Sequence, residues 1–185
     1  MSFFTRPALL LRLAATLLVT VPVLSGCDTE PSYAKQIREQ TEAQRALDEA
    51  TIQAYLTRHN ITGSQYTRTN SGLYLVSLTN GPATNPLITK GQKVTVNYVG
   101  KFIYEANDGV IFDNSSNNRT SCGCFSFTAG GGGVISGWEE AALLMRKGDR
   151  KLLLVPSELA YREVGQGSIA PYTPLLFDLE IQDVQ

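Results

Sequence analysis

From Gln65 to the C-terminus the chain breaks into short apolar runs separated by turn residues. No other feature limits the fold as much. Gly72-Leu-Tyr-Leu-Val-Ser-Leu78 has the length of one strand. Gln92-Lys-Val-Thr-Val-Asn-Tyr-Val99 sets Val94, Val96 and Tyr98 against polar neighbours, the alternation of a half-buried strand. Phe125-Ser-Phe127, Lys151-Leu-Leu-Leu-Val155 and Leu175-Leu-Phe-Asp-Leu-Glu-Ile181 complete the set. One short helix intervenes, with Ser136 as its cap, Trp138 to Met145 as its body and Gly148 as its stop. Five or six strands around one helix predict an antiparallel α+β domain over residues 65–185.

The preceding residues have a different texture. Residues 1–26 carry Arg6 and Arg12 but no acidic residue. The apolar run from Leu13 to Leu24 is shorter than the ~20 residues a membrane span needs, and its basic flank matches a secretory signal. It ends in Leu24-Ser25-Gly26-Cys27, which resembles the lipobox of bacterial lipoproteins. That resemblance implies lipidation at Cys27 and an anchor in the bacterial cell envelope; the alternative is a plain signal peptide with a chance cysteine. Residues 27–64 read as a mostly helical spacer. Positions 33–58 lack Gly and Pro and are rich in helix formers. Their apolar stripe is thin, running through Ile37, Leu47 and Ala54 with Tyr33 and Tyr55. Such a helix suits a solvated stalk, or else a dimerisation helix.

The inventory of reactive groups is narrow. His59 is the single histidine and lies at the end of the spacer helix, so residues 65–185 hold no Ser-His-Asp or Cys-His arrangement and no histidine-based metal site. Gly130 to Gly133 lacks the Gly-Lys-Ser/Thr that a phosphate loop requires, and reads as a tight bend. No cofactor is implied. Sixteen basic against seventeen acidic residues give a net charge of −1, without the footprint of a nucleic-acid binder. Cys122-Gly123-Cys124 leaves a disulfide, two free thiols, metal binding or intermolecular pairing open. In an exported chain the pair would meet an oxidising environment.

The order of motifs is more telling than any one of them. Val94-x-Val96-x-Tyr98-x-Gly100 is followed by Phe112-Asp113-Asn114-Ser115, Phe125-x-Phe127 and Val134-Ile135-x-Gly137-Trp138-Glu139-Glu140. Then come Met145-x-x-Gly148, Pro156-x-Glu158-Leu159-Ala160-Tyr161, Ile169-Ala170-Pro171 and Pro174-Leu175-Leu176-Phe177-Asp178-Leu179-Glu180. This series resembles the FKBP-type peptidyl-prolyl cis-trans isomerases across residues 66–185. The resemblance implies a bent antiparallel sheet wrapped around the short helix, with an aromatic hollow between them. Trp138 would floor that hollow, and Tyr98, Phe112, Phe125, Phe177, Val134 and Ile135 would line it. Tyr161 would offer its hydroxyl, and Ile135 its backbone N–H, to substrate carbonyls. Asp113 would stand at the rim, and Ile169 would close one wall. Phe127 and Leu176 are expected in the core.

The implied chemistry suits a chain without nucleophiles. Rotation about a peptide bond transfers no proton, yet meets a barrier of ~18–20 kcal/mol because of C–N double-bond character. Water stabilises the charge-separated resonance form; a dry aromatic hollow withdraws that support. Hydrogen bonds selective for the twisted state lower the barrier further, at tenfold in rate per ~1.4 kcal/mol. The implied partners are proline-containing polypeptides and macrolide inhibitors. The alternative is a non-catalytic chaperone module that grips proline segments. The sequence departs from the family pattern at Gly133, where an acidic residue is common, and at Arg162, where glycine is usual. The loop from Asp113 to Phe125 is also longer than usual, with Arg119 as its one arginine. These changes bear on substrate preference and macrolide affinity.

Overall fold

A computed structural model describes residues 31–118 and 120–185. The signal segment, Cys27 and Arg119 lie outside the described residues. Helix α1 spans Ser32–Arg58, as its composition predicts, and Asn60 at φ 55° turns the chain out of it. Seven strands follow: β1 Tyr66–Arg68, β2 Tyr74–Thr79, β3 Lys93–Phe102, β4 Ile111–Asn114, β5 Phe125–Thr128, β6 Arg150–Val155 and β7 Leu175–Val184. Helix α2, Ser136–Leu143, lies between β5 and β6.

All strand pairings are antiparallel, in the order β1-β2-β6-β7-β3-β4, with β5 also on β3. β4 and β5 share one edge of β3: Val99 to Lys101 face β4, whereas Lys93 to Val96 face β5. The fold class stands as expected, but the strand count of five or six is corrected to seven. The two additional strands, β1 and β4, have three and four residues, too few to display alternation. The ends of α2 also differ from expectation. Ile135 occupies the N-cap without a side-chain bond, and the helix stops at Leu143. Gly148, at φ +90°, instead serves the turn into β6. The Asp149 carboxylate holds that turn by accepting the N–H groups of Arg146 at 3.0 Å and Gly81 at 2.7 Å.

The central strands are buried on both sides, and the alternation of side chains divides them. Leu75, Leu153, Val155, Leu175, Phe177 and Leu179 pack with Trp138, Ala141 and Met145 from α2 and its end. Tyr74, Val76, Leu154 and Leu176 form a second core with Ile52, Tyr55 and Leu56 of α1. The C-terminal half of α1 therefore covers the outer face of the sheet. Its buried residues are Asp48, Ile52, Tyr55 and Leu56. The stripe expected from sequence is displaced: Tyr33, Ile37, Leu47 and Ala54 are exposed, and only Tyr55 belongs to the contact. No helix among the described residues is long and apolar enough to cross a membrane.

Polar bonds fasten α1 to the rest of the chain. Arg45 pairs with Glu158, and Arg68 of β1 pairs with Glu49. Arg58 and His59 both meet the Asp108 carboxylate at 2.9 Å. Tyr74 donates its hydroxyl to Glu49.

Candidate active site

The strand register brings distant residues of the chain to one place. Tyr98 lies on β3, Asp113 on β4, Phe125 on β5 and Phe177 on β7. In the register Phe177 and Asp113 both stand opposite Gly100. A Cβ on Gly100 would fall 2.6 Å from ring carbons of Phe112 and 3.2 Å from Phe177, so only glycine lets those rings close over the strand. Gly137 does the same for α2: a Cβ there would fall 2.6 Å from Val155. The helix is thereby brought onto β6 with Trp138 facing the sheet aromatics.

Trp138 is 4% exposed and meets four rings. Its ring lies 4.9 Å from Tyr98 and 5.2 Å from Phe177, both edge to face, at 78° and 85°. Phe125 and Phe127 stand 6.1 Å and 5.9 Å away. Edge-to-face geometry places the positive rim of one ring against the negative face of the next. Above this floor opens a hollow of about 370 Å³, lined by Tyr98, Asp113, Phe125, Gly132, Gly133, Val134, Ile135, Trp138, Tyr161 and Phe177.

Eight of the ten residues expected at the site line this hollow. Phe112 and Ile169 do not. Phe112 is half-buried and packs against Phe177 and Phe102, with ring centroids 5.6 Å and 5.1 Å away. Ile169 is 6% exposed and belongs to the main core. Phe127 is a core residue, as expected, and Leu176 lies in the core beneath α1. Gly132 and Gly133 are additions. The Glu139 carboxylate accepts the N–H groups of Gly130 at 2.5 Å and Gly132 at 2.8 Å, tying the glycine run to α2. The run is thus a tethered bend. The sequence signal was Glu139 following the glycines at the N-terminal turn of a helix.

Polar groups at the hollow are few and placed unequally. Tyr98 donates its hydroxyl to Asp113 Oδ2 at 2.7 Å, while Asp113 Oδ1 accepts from Asn114 N–H at 2.8 Å and Asn117 Nδ2 at 3.1 Å. Burial, then the hydrogen bond to Asp113 and its charge, push the Tyr98 hydroxyl well above the usual tyrosine range. Burial and then the Asp113 charge also push Tyr161 up. Both hydroxyls stay protonated at neutral pH. The Tyr161 hydroxyl and the Ile135 N–H find no acceptor among the described residues. These donors and the buried Trp138 indole N–H are left without a partner among the described residues, while the Ile135 carbonyl accepts the Trp138 backbone N–H at 2.9 Å.

Cys122 and Cys124 are joined by a disulfide, with Cα atoms 5.2 Å apart, in the loop before Phe125. Of the alternatives the sequence left open, this is the one the fold adopts. Thr120 Oγ1 closes the same loop, accepting Cys124 N–H at 3.0 Å and donating to Cys124 C=O at 2.8 Å. Among the described residues there is no cluster of three His, Cys, Asp or Glu that could hold a metal ion.

The chain is similar to known proteins in sequence and in fold. The family described as FKBP-type peptidyl-prolyl cis-trans isomerase matches residues 85–182. The FKBP-type 22 kDa peptidyl-prolyl cis-trans isomerase of Escherichia coli is 39% identical over 117 residues, covering 63% of this chain and 52% of that protein. FK506-binding protein 5 of Dictyostelium discoideum is 37% identical over 106 residues, covering 57% of this chain but 6% of that protein. The chain thus spans about half or less of these two relatives. The crystal structure of a peptidyl-prolyl cis-trans isomerase from Pseudomonas syringae superposes with a TM-score of 0.60 at 29% identity, covering 78% of this chain and 96% of that one. The chain belongs to the FKBP-type peptidyl-prolyl cis-trans isomerase family.

Proposed function

We propose that the chain accelerates cis-trans rotation of X–Pro bonds in exported polypeptides, as an enzyme anchored to the bacterial cell envelope through a lipid on Cys27. The observation that carries the first part is the pairing of an aromatic floor with donors, the Tyr161 hydroxyl and the Ile135 N–H, that have no partner among the described residues. The prolyl ring would lie on Trp138, between Tyr98, Phe125 and Phe177. Apolar walls hold that ring and keep water from the amide. Withdrawal of water disfavours the planar, charge-separated form. Tyr161 Oη and Ile135 N–H then donate to carbonyl oxygens flanking the bond, and bind the twisted form better than the planar one.

Asp113 takes a supporting part. Its carboxylate fixes the Tyr98 ring at the edge of the hollow and is itself held by Asn114 and Asn117. No proton moves. The same hollow would take macrolide inhibitors as competitive ligands. For the anchor, the support is the Arg-flanked apolar run closing in Leu24-Ser25-Gly26-Cys27.

A proline-peptide isomerisation assay on the protein tests the reading. The wild type is expected to accelerate rotation. Tyr161→Phe is expected to lower kcat/KM by about tenfold, the loss of one selective hydrogen bond. A wild type that leaves the uncatalysed rate unchanged would sink the enzymatic reading. For the anchor, Cys27→Ser is expected to move the protein from the detergent phase to the aqueous phase; equal partition would defeat it.

A further inference from the structure

The turn that carries Tyr161 is held from outside the sheet. Asp48 of α1 is 2% exposed, and Ser157 just after β6 is 1% exposed. Asp48 Oδ2 accepts the backbone N–H of Ser157 at 2.7 Å and its hydroxyl at 2.6 Å. Asp48 Oδ1 accepts Gln44 Nε2 at 2.8 Å. A buried carboxylate is costly unless its oxygens are engaged, so both residues are fixed. The bonds continue from there. The Ser157 carbonyl accepts the N–H of Ala160 at 3.1 Å and of Arg162 at 2.9 Å. Those two residues bracket Tyr161. Arg162 sits at φ 53°, a conformation that costs a non-glycine residue energy and persists only where its surroundings impose it.

We propose that Asp48 is a positioning residue for the prolyl site, acting through Ser157 on the turn that aims the Tyr161 hydroxyl into the hollow. This rests on the role given to Tyr161 above. Asp48 touches no substrate. Its carboxylate sets where Ser157 lies, Ser157 C=O sets the backbone on both sides of Tyr161, and the hydroxyl inherits that placement. Misplacing a hydrogen-bond donor by a fraction of an ångström weakens its bond to the twisted amide more than it weakens substrate binding. The kinetic signature is therefore a fall in kcat with KM nearly unchanged.

The test uses the full chain and the proline-peptide assay, at a temperature where circular dichroism shows every variant folded. Asp48→Ala is expected to raise amide hydrogen exchange at Ala160 and Arg162 and to lower kcat about tenfold. Asp48→Asn keeps an acceptor for the Ser157 N–H and is expected to recover most of the rate. Arg68→Ala loosens α1 at another point and is expected to leave kcat unchanged. In a Tyr161→Phe background the cost of Asp48→Ala should shrink to less than about twofold, because both changes remove the same bond. Unchanged exchange at Ala160 and Arg162, or a full Asp48→Ala cost persisting in Tyr161→Phe, overturns the proposal while leaving the isomerase reading intact. An equal kcat loss in Arg68→Ala also overturns it. An inactive wild type defeats both readings, and is seen before any variant is made.

Discussion

At the scale of single residues, Tyr98 and Tyr161 do different work with the same group. Tyr98 gives its hydroxyl to Asp113, so its ring is fixed and its proton committed. Tyr161 has no such partner, and its proton is available to a ligand. Burial raises the pKa of both, with Asp113 adding to the effect. A donor must be protonated, and a raised pKa keeps it so to higher pH. With Tyr161 and Ile135 in the proposed donor roles, isomerisation is therefore expected to be independent of pH between about 6 and about 9, below the ordinary tyrosine value near 10. The one histidine, His59, stands at the end of α1 beside Asp108 and does not line the hollow. A rate profile of proline-peptide isomerisation checks this. A step in kcat near the ordinary histidine value would put a proton transfer into the mechanism and contradict it.

At the scale of elements, α1 illustrates how a polar helix can still belong to a core. Its contact is one short apolar patch, Ile52, Tyr55 and Leu56, at the i, i+3, i+4 spacing of one helix face. Around the patch, carboxylates hold it in place. Burial raises the pKa of Glu49, but hydrogen bonds from Tyr74, Gln53 and Arg68 outweigh this and hold it below its usual value. Asp108 behaves alike: burial raises it, and His59 and Arg58 more than offset that. For Glu158 the hydrogen bond from Arg45 is the main cause, and it too is lowered. A carboxylate whose pKa is depressed by folding stabilises the fold fully above its unfolded value. That stability is lost as pH falls through the depressed value. Docking of α1 is thus expected to weaken below about pH 4, the ordinary carboxylate range. Amide exchange, corrected for intrinsic rates, should show residues 45–58 losing protection at higher pH than β3 and β7. Loss of protection in both at one pH would mean that these carboxylates do not hold the helix.

At the scale of the molecule, what the sequence made legible depended on whether the signal was local. Strands β2, β3, β5, β6 and β7 could be read because each carries its own run, and α2 because a glycine run and Gly148 isolate it. Trp138, Tyr98, Asp113 and Tyr161 could be placed together because their motifs occur in a fixed order along the chain. Phe112 and Ile169 could not be separated from the lining, since which apolar side chains reach the hollow is a matter of tertiary placement. The role of α1 is hidden for a similar reason: its contact occupies only one end of the helix, too short to mark a continuous apolar stripe. A usable signal lay elsewhere. Leu152-Leu153-Leu154-Val155 does not alternate, and an unbroken apolar strand needs cover on both faces. With α2 on one face, a second element had to lie on the other. Ile52 is 0% exposed at that second contact, among Tyr74, Val76, Leu154 and Leu176. Ile52→Ala is therefore expected to destabilise the whole domain by about 3 kcal/mol, as removal of a buried aliphatic side chain does. Ile37→Ala, on the exposed half of the same helix, should change stability by less than about 0.5 kcal/mol. Urea unfolding followed by Trp138 fluorescence reports this, because Trp138 sits on the opposite face of the sheet and senses α1 only through global unfolding. If α1 were a free stalk, the Trp138 transition would not move in either variant; a shift confined to Ile52→Ala shows that the covered end of α1 carries part of the stability of the sheet.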